Sequence, residues 1–350
     1  MICSVVILNW NGADVMRQFL PSVLKHTTLD DTEVVVVDNG STDDSVTYLQ
    51  AVLSTDEAKA AHLRLIAYPE NYGFASGYNR AIAEMDSEIV VLLNSDVQVS
   101  AGWLKPVLDY MHAHPDVAAA QPKVLSYKSL LSHQKDATQP VTFEHAGAAG
   151  GQIDMLGYPF CRGRLMGYVA EDKGQYDTVE KVFWVSGAAF FIRTDLYNRL
   201  GGLDDTFFAH MEEIDLCWRL NSRGYNLVCV PQSVVYHLGG GALAYDNPRK
   251  TYLNFRNNLL MLYKNLPQPH LFIVLACRLV LDYVAALQAL IVAKPQNSLA
   301  IIRARIDYLK MKRALHQKRQ ENLRFATRLY PDTISRRFII FDYYIRRKKE

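Results

Sequence analysis

A short acidic segment is the part of the sequence best suited to proton transfer. Residues 201–219 hold Glu212, Glu213 and Asp215 among aromatic side chains, just before a predicted helix. Like charges this close raise the pKa of at least one carboxyl group unless a metal, an arginine or a helix N-terminus offsets them. Such a group can take a proton from a hydroxyl. The same residues also suit the solvated start of a helix, where the helix dipole favours acidic side chains.

Polar side chains follow three apolar runs in the N-terminal half. Asn9 and Asn11 follow the first run, Asp38 the second, and Asn94-Ser95-Asp96 the third. A carboxylate at the end of a buried strand suits recognition of a base N–H or a ribose hydroxyl, which is the role we expect for Asp38. Asp96 could hold a divalent cation that bridges a diphosphate. Ordinary turn formation is the alternative for both positions.

A glycine-containing segment follows the third predicted strand. Residues 70–77 read Glu-Asn-Tyr-Gly-Phe-Ala-Ser-Gly and run into a helix, so the backbone there could approach a phosphate or a sugar closely. The segment lacks GxGxxG and GK[ST], which argues against a dinucleotide fingerprint and a P-loop.

Alternating strands and helices would bring these polar residues together. The pattern predicts strands at residues 5–8, 33–38, 63–67 and 88–94, helices at 15–25, 41–53 and 75–85, and a further buried strand at 182–191. Continuous β-branched runs are typical of parallel strands that are buried on both faces. Open parallel sheets bind ligands beyond the carboxyl ends of their strands, so the predicted fold is α/β with a ligand site there.

Composition narrows the class of protein. The 350 residues allow about two domains, and 49% hydrophobic with 21% charged residues indicate a folded globular chain. Five scattered cysteines without a CxxC pair predict neither a disulfide framework nor a zinc site, which fits a reducing cytoplasm. The N-terminus shows no basic region ahead of an apolar one, so we expect no secretory signal.

Charge divides the chain into two zones. From Leu271 onward there are 17 Lys and Arg against 6 Asp and Glu, whereas residues 1–270 hold 21 against 30. The prolines at 267 and 269 mark a plausible junction because proline does not continue a helix. We therefore predict a catalytic domain at residues 1–266 and a basic, mainly helical region at 267–350.

The basic zone predicts contact with a membrane surface. Residues 271–293 are long and apolar enough to span a bilayer, but Arg278 and Asp282 disfavour spanning and could pair on one helix face. Residues 301–328 interleave basic and apolar side chains, as in a helix that lies on anionic headgroups. A solvated basic face is the alternative. No recognised nucleic-acid motif is present, so we expect no nucleic-acid partner.

Five motifs in order resemble one enzyme family. They are Val5–Gly12, Val37–Asp43, Asn71–Ala75, Leu93–Asp96 and the Gly-Gly-Leu-Asp…Glu-Glu-Ile-Asp-Leu stretch from Gly201 to Leu216. Together, over roughly residues 1–260, they resemble the family 2 glycosyltransferases of GT-A fold, and most closely their rhamnosyltransferase-like branch. The resemblance implies a Rossmann-like nucleotide-sugar-binding domain with a mainly parallel sheet, followed by a helical C-terminal region.

The resemblance also implies a reaction. A sugar would pass with inversion from a nucleoside-diphosphate donor, dTDP-rhamnose-like or a UDP-sugar, to a hydroxyl of a glycan acceptor. The acceptor would be a lipid-linked precursor of a cell-surface polysaccharide. The protein would then be cytoplasmic and peripheral on the inner face of the cell membrane, and Mg²⁺ or Mn²⁺ would be its cofactor.

The resemblance assigns roles to individual residues. Glu213 would be the catalytic base, with Glu212 beside it as the other candidate. The acceptor would contact Trp184 and Glu212, and the metal would be held by Asp96 and by His237, a histidine placed after the base helix. The implied donor-binding residues are Asn9, Asn11, Asp38, Asn71, Phe74, Asn94, Ser95, Asp96, Gly187 and Arg256.

Two departures from the family pattern and two other functions stay open. The metal motif begins with Asn94 where many relatives have a carboxylate, and Glu212-Glu213 stands where relatives commonly have Glu-Asp. Trp184 is as well explained as a core residue, and Arg256 as a surface helix residue.

Two other functions are weighed against a glycosyltransferase. A sugar nucleotidyltransferase would need a basic glycine-rich loop where Asn9–Gly12 stands. A non-catalytic glycan-binding or scaffold protein would have no need of Glu213.

Overall fold

The computed structural model describes residues 1–239 and 247–348. Lys349 and Glu350, the end of the predicted basic region, lie outside the described residues. The strands are β1 Cys3–Asn9, β2 Thr32–Asp38, β3 Arg64–Ala67, β4 Ile89–Asn94, β5 Val97–Val99, β6 Val117–Ser126, β7 Gly151–Asp154, β8 Pro159–Cys161, β9 Arg164–Leu165, β10 Tyr168–Val169, β11 Glu180–Lys181, β12 Ala189–Arg193, β13 Asn226–His237 and β14 Ile334–Ser335.

The helices surround these strands. They are α1 Ala13–His26, α2 Ser45–Val52, α3 Asp56–Ala60, α4 Phe74–Ile82, α5 Leu104–Ala113, α6 Tyr127–Lys135, α7 Thr194–Arg199, α8 Glu212–Ser222, α9 Pro248–Asn265, α10 His270–Ile291, α11 Pro295–Met311, α12 His316–Phe325 and α13 Ile339–Tyr344. A single 3-10 turn, Asp205–Phe207, precedes α8.

The central sheet is mainly parallel, as predicted. Its order is β11-β13-β6-β12-β4-β1-β2-β3, and β5 pairs with β13. The strands β1 to β4 run parallel in the order β4-β1-β2-β3, while β12 runs antiparallel between β4 and β6. The apolar β-branched runs of β1, β2 and β4 are buried, and helices cover both faces of the sheet. The carboxyl ends of β1, β2 and β4 therefore share one edge.

Two predicted elements begin later than the pattern indicated. The helix predicted at residues 41–53 starts at Ser45, because Ser41 and Thr42 form a turn that contacts Asp38 and Asn11 instead. The strand predicted at residues 182–191 starts at Ala189. Ahead of it, Trp184 bridges to Gly151 in the second sheet, and the Ser186 hydroxyl accepts a bond from the Ala188 amide.

Most of a second sheet lies between β6 and α8 along the chain. Its order is β10-β9-β8-β7-β14, so the last strand comes from the C-terminal region. The pairing of β14 with β7 is parallel, whereas the others are antiparallel. Residues beyond the predicted junction therefore complete this second sheet.

Helices α9 to α12 lie between β13 and β14 along the chain. The predicted junction falls in the turn between α9 and α10, after Asn265 and before His270. The predicted pair of Arg278 and Asp282 is present, with Nε and Oδ1 3.2 Å apart and both side chains buried. Among the described residues, α10 is the one helix long and apolar enough to cross a membrane, by length and composition alone.

Candidate active site

Strand ends place the predicted donor residues side by side. Asn9 and Asp38 occupy paired positions of β1 and β2, and Asn94 ends β4 on the other side of β1. The Asn9 amide donates to Asp38 Oδ1 at 3.0 Å, and Ser41 donates to the same carboxylate through its hydroxyl and its backbone N–H. A carboxylate has about four acceptor positions, so Asp38 keeps one for a ligand after these three bonds.

Asn11 connects the loops that follow β1 and β2. Its side-chain oxygen accepts a 2.7 Å bond from the Thr42 amide, and its own N–H donates to the Ser41 hydroxyl at 2.9 Å. Asn11 has a φ of 49°, a left-handed conformation that asparagine tolerates better than most residues. The observed contacts of Asn11 are therefore with the protein. They fix the shape of the predicted donor edge, which is formed by the carboxyl ends of β1, β2 and β4 and the loops that follow them.

Asn39, which sequence reasoning did not select, holds the next loop. Its amide donates to Asn71 Oδ1 at 3.0 Å and to the Gly73 carbonyl at 3.1 Å. Asn71 also accepts from the Gly73 N–H at 2.7 Å, which sets the start of α4 at Phe74. A Cβ on Gly40 would lie 2.4 Å from the Glu70 carbonyl carbon, so the two loops touch at backbone distance.

The predicted metal residues meet at a tight turn. Asn94-Ser95-Asp96 joins β4 to β5, and β5 pairs with the end of β13, which carries His237. His237 Nε2 lies 3.1 Å from Asp96 Oδ1 and 3.4 Å from the Asn94 amide nitrogen. Ser95 is half-buried at the middle of the turn. Asp96 and His237, the two candidate metal ligands, are 141 residues apart in the sequence, and the pairing of β5 with β13 brings them together.

Glu144 is a third member of this cluster. Its Oε2 lies 3.4 Å from His237 Nδ1, on the opposite side of the ring from Asp96. Burial alone would lower the pKa of His237, but hydrogen bonds and charge from Asp96 and Glu144 raise it to about 10. Burial also acts to raise the pKa of Glu144, yet the contact with His237 holds it below its usual value.

The arrangement of His237 fits a divalent cation. Histidines that bind metals commonly direct their other ring nitrogen to a carboxylate, as His237 does toward Glu144. Within residues 1–239 and 247–348, no group of three His, Cys, Asp or Glu side chains is arranged to hold a metal alone. A cation on Asp96 and His237 would therefore keep positions for phosphate oxygens and water, which is how Mg²⁺ is usually bound.

The loop before α8 is built from unusual backbone conformations. Phe208, His210 and Met211 all have φ between 67° and 76°, a region costly for side chains other than glycine. Asn257 of α9 stabilises this loop, because its amide lies 2.8 Å from the carbonyls of Phe207, Ala209 and His210. The start of α8 is thus fixed by a helix that follows it by some forty residues.

Glu212 and Glu213 open α8 with poorly solvated carboxylates. One oxygen of each, Oε2, is buried without a hydrogen-bond partner among the described residues. Burial raises the pKa of Glu213. Burial, and next the charge of Glu213, raise the pKa of Glu212 well above its usual range. A carboxylate in this state accepts a proton more readily than one in water.

Asp215 does not belong to this reactive pair. Its carboxylate accepts bonds from Arg219 at 2.9 Å, Lys264 at 2.7 Å and Asn265 at 2.8 Å, so its charge is offset. Lys264 also contacts Asp204 at 2.6 Å, and both partners of this lysine are buried. The three acidic residues that lie close together in the sequence therefore differ in the structure. Glu212 and Glu213 have raised pKa values, whereas the charge of Asp215 is offset by its partners.

Gly187 lies against α8, the helix that carries Glu213. The nearest atom to a Cβ built on Gly187 would be Glu213 Cγ at 4.0 Å, so the backbone ahead of β12 leaves open space beside this glutamate. Trp184 lies deeper: it is buried, its ring covers Gly151, and its N–H donates to the Gln152 carbonyl at 2.9 Å. The acceptor role of Trp184 stays a prediction, and the observed contacts are those of a core residue.

Arg256 is buried rather than on a helix surface. It donates to the Phe207 carbonyl at 3.0 Å and to Asn257 Oδ1 at 2.9 Å, and its guanidinium lies over the Tyr252 ring. Its contact with a diphosphate stays a prediction. Sequence reasoning selected Arg256 from this segment and overlooked Asn257, because the sequence does not show which polar residues of this mixed helix are buried.

Two solved structures resemble this chain over most of its length. A mannosyltransferase from Pyrobaculum calidifontis in complex with GDP-Man and Mn²⁺ superposes with a TM-score of 0.54 at 16% identity, covering 88% of this chain and 86% of that one. Residues 1–349 of S. aureus TarS in complex with UDP-GlcNAc give 0.53 at 17% identity, covering 93% and 89%. The curled, mainly parallel sheet, the polar strand ends and these neighbours define a GT-A fold.

Sequence comparison gives a family match and several relatives. Residues 4–171, just under half of the chain, match the model of glycosyl transferase family 2. An N-acetylglucosaminyl-diphospho-decaprenol L-rhamnosyltransferase of Mycobacterium tuberculosis is 25% identical over 67% of this chain and 76% of its own length. Other relatives are longer: the matches span 27% of protein y4gI of Sinorhizobium fredii and 17% of the O-antigen biosynthesis protein RfbC of Myxococcus xanthus.

Proposed function

We propose that the chain is an inverting glycosyltransferase that moves a sugar from a nucleoside-diphosphate donor to a hydroxyl of a glycan. One observation carries the proposal: Glu213, with a raised pKa and an unpartnered oxygen, lies beside Gly187 at the end of the sheet that holds Asp38 and Asp96. The match of residues 4–171 to the model of glycosyl transferase family 2 supports this proposal.

Proton transfer is the step assigned to Glu213. A sugar hydroxyl is a weak nucleophile at neutral pH, so a positioned carboxylate that takes its proton during attack is worth about 10²- to 10⁴-fold in rate. The hydroxyl oxygen forms a bond to the anomeric carbon, the bond from that carbon to the diphosphate oxygen breaks, and the electron pair leaves with the diphosphate. A single displacement of this kind inverts the anomeric carbon.

The two glutamates take different parts. Glu212 is nearly fully buried whereas Glu213 is half-buried, and burial raises the pKa of both carboxyl groups. Two close carboxyl groups rarely ionise together in such surroundings. We therefore assign Glu213 as the base, and Glu212 as a neutral neighbour that can hydrogen-bond to the acceptor.

The donor lies along the strand ends in this proposal. Asp38 takes the base or ribose through its remaining acceptor position, while Asn9, Asn11 and Asn71 hold the loops around it. Asp96 and His237 would hold a Mg²⁺ or Mn²⁺, which when bound would offset the charge of the leaving diphosphate. Carboxylate ligands suit both ions.

The proposed donor is dTDP-rhamnose-like or a UDP-sugar, and the proposed acceptor is a lipid-linked precursor of a cell-surface polysaccharide. The rhamnosyltransferase relative, named for a diphospho-decaprenol substrate, favours such an acceptor. The protein would meet this acceptor as a peripheral protein on the inner face of the cell membrane.

Release of nucleoside diphosphate from a panel of nucleotide sugars tests the proposal. The assay is run with and without Mn²⁺ or Mg²⁺ and with a membrane lipid extract as acceptor. We expect metal-dependent release from one donor, lost in Glu213→Gln and retained in Glu57→Gln, which changes an exposed glutamate of α3. Equal release by both variants would contradict the proposal, as would binding of nucleotide sugars without any turnover.

A further inference from the structure

Helix α10 carries its charges on the inside and its apolar side chains on the outside. Arg278 and Asp282 are buried, whereas no exposed position between Leu271 and Ile291 is charged. Phe272 is 73% exposed and Ile291 is 76% exposed, at opposite ends of the helix. A surface helix of a globular protein normally shows the reverse pattern, so the outward face of α10 is built for a surrounding other than water.

The inner face of α10 is bound to the rest of the protein. Arg278 donates to the Leu156 carbonyl at 3.2 Å and its guanidinium lies 3.9 Å from the centre of the Tyr158 ring. Asp282 Oδ2 accepts from Arg305 of α11 at 2.7 Å. A helix held this way cannot turn its charged face to hydrocarbon, where such groups are costly. The outward face can therefore lie along a bilayer surface, and α10 does not cross it.

Exposed cations lie on the helix that packs beside this apolar face. The neighbouring helix α11 exposes Leu299, Ile306 and Leu309 together with Arg303 and Lys310, whose side chains are 78% and 71% exposed. Both cations approach a single carboxylate, that of Asp307, so the edge keeps a net positive charge. Anionic headgroups offset such an edge, whereas a second copy of the chain would bring another cationic edge toward it.

Part of the basic segment 301–328, which we expected to lie on headgroups, contacts the rest of the protein instead. In α12, Lys318 contacts buried Asp204 at 2.8 Å, and Arg319 is buried and donates to the Leu266 carbonyl at 2.7 Å. The predicted segment 301–328 is therefore two helices with different surroundings. Of these, α11 borders the apolar face, and α12 holds the loop before the base helix.

We propose that the outward face of α10, bordered by Arg303 and Lys310, is a docking surface for an anionic lipid bilayer. Its apolar side chains, among them Val280, Val284 and Leu287, enter the boundary between headgroups and acyl chains. The contact needs neither donor nor acceptor sugar, so it stands or falls separately from the proposed reaction. It would hold the turn between β7 and β8, which Arg278 contacts at Leu156, close to the membrane surface.

Co-sedimentation of the full chain with vesicles tests this surface. The vesicles contain phosphatidylcholine alone or phosphatidylcholine mixed with phosphatidylglycerol. We expect binding to the mixed vesicles that falls about tenfold or more in Leu287→Glu, because one buried leucine is worth at least that factor. Leu131→Glu, at an exposed leucine of α6, is the matched control and should bind like the native chain. Circular dichroism of both variants checks that they are folded.

A charge variant and a measurement of mass complete the test. Arg303→Glu with Lys310→Glu should remove most of the preference for phosphatidylglycerol. The proposal is overturned if Leu287→Glu and Leu131→Glu bind vesicles equally, or if the native chain binds neither vesicle. Light scattering that shows a dimer, dissociated by Leu287→Glu in the absence of vesicle binding, would instead assign the face to a second copy.

Discussion

The donor edge and the base helix are assembled in different ways. Asn9 and Asp38 are the last residues of β1 and β2, and Asp96 lies two residues after β4, so parallel pairing brings them to one edge. Glu213 depends on distant residues, because Asn257 holds the loop before α8 and Lys264 holds Asp215 within α8. The donor edge therefore follows from local sequence, while the reactive carboxylate depends on the packing of the C-terminal helices.

The largest expected effect breaks the support of the base helix. In Lys264→Met, two buried carboxylates, Asp204 and Asp215, lose their shared cation. Removing one partner of a buried ion pair typically costs about 3–5 kcal/mol, so the free energy of unfolding by urea should fall by roughly that amount. Lys105→Met removes an exposed pair with Asp109 and should change it by less than about 1 kcal/mol. Equal unfolding midpoints in the two variants would contradict the dependence on α9.

A second effect tests Glu144, which lies far in sequence from the strands of the donor edge. Glu144→Gln should weaken Mn²⁺ binding by about 10- to 100-fold, because the His237 ring loses the carboxylate that orients it. Binding of Mn²⁺ alone is followed by electron paramagnetic resonance. Glu171→Gln, at a more exposed glutamate that pairs with Lys173, should leave it unchanged. If both variants bind Mn²⁺ like the native chain, Glu144 does not position His237 for a metal.

The smallest effect concerns the pH dependence of stability. Burial and the charge of Glu213 raise the pKa of Glu212 in the folded chain, so the unfolded chain loses this proton at lower pH. As pH rises from the ordinary glutamate range toward the raised value, the native protein loses stability. Glu212→Gln cannot ionise, and its melting temperature should fall less across this window. An equal fall of melting temperature with pH in the two proteins would show that the pKa of Glu212 is not raised in the folded chain.

Much of the donor edge could be predicted from the sequence because its spacing is local. The ends of β1, β2 and β4 lie within a residue or two of the predicted ones, and the proximity of His237 to Asp96 agrees with its predicted place. Glu144 could not be found this way, since it lies in an irregular segment and meets His237 only through folding. The same holds for Lys264, whose partners are 49 and 60 residues away.

The C-terminal region shows which physical information a sequence pattern omits. Helical spacing predicted the pair of Arg278 and Asp282, and the structure confirms it. The pattern did not tell which face of α10 is covered, because an apolar helix of this length fits a protein core and a membrane surface equally well. The contacts of Arg278 with Leu156 and Tyr158, and of Asp282 with Arg305, fix the direction of that face.

The central claim is that Glu213 is the base of a glycosyl transfer, and the turnover and donor affinity of Glu213→Gln test it most directly. Turnover with the donor found in the panel and its acceptor extract is compared with the dissociation constant for that donor, in the native chain and in Glu212→Gln beside it. We predict that Glu213→Gln loses about 10²- to 10⁴-fold in turnover with donor affinity unchanged, and that Glu212→Gln keeps more activity. Full turnover in Glu213→Gln would contradict the account.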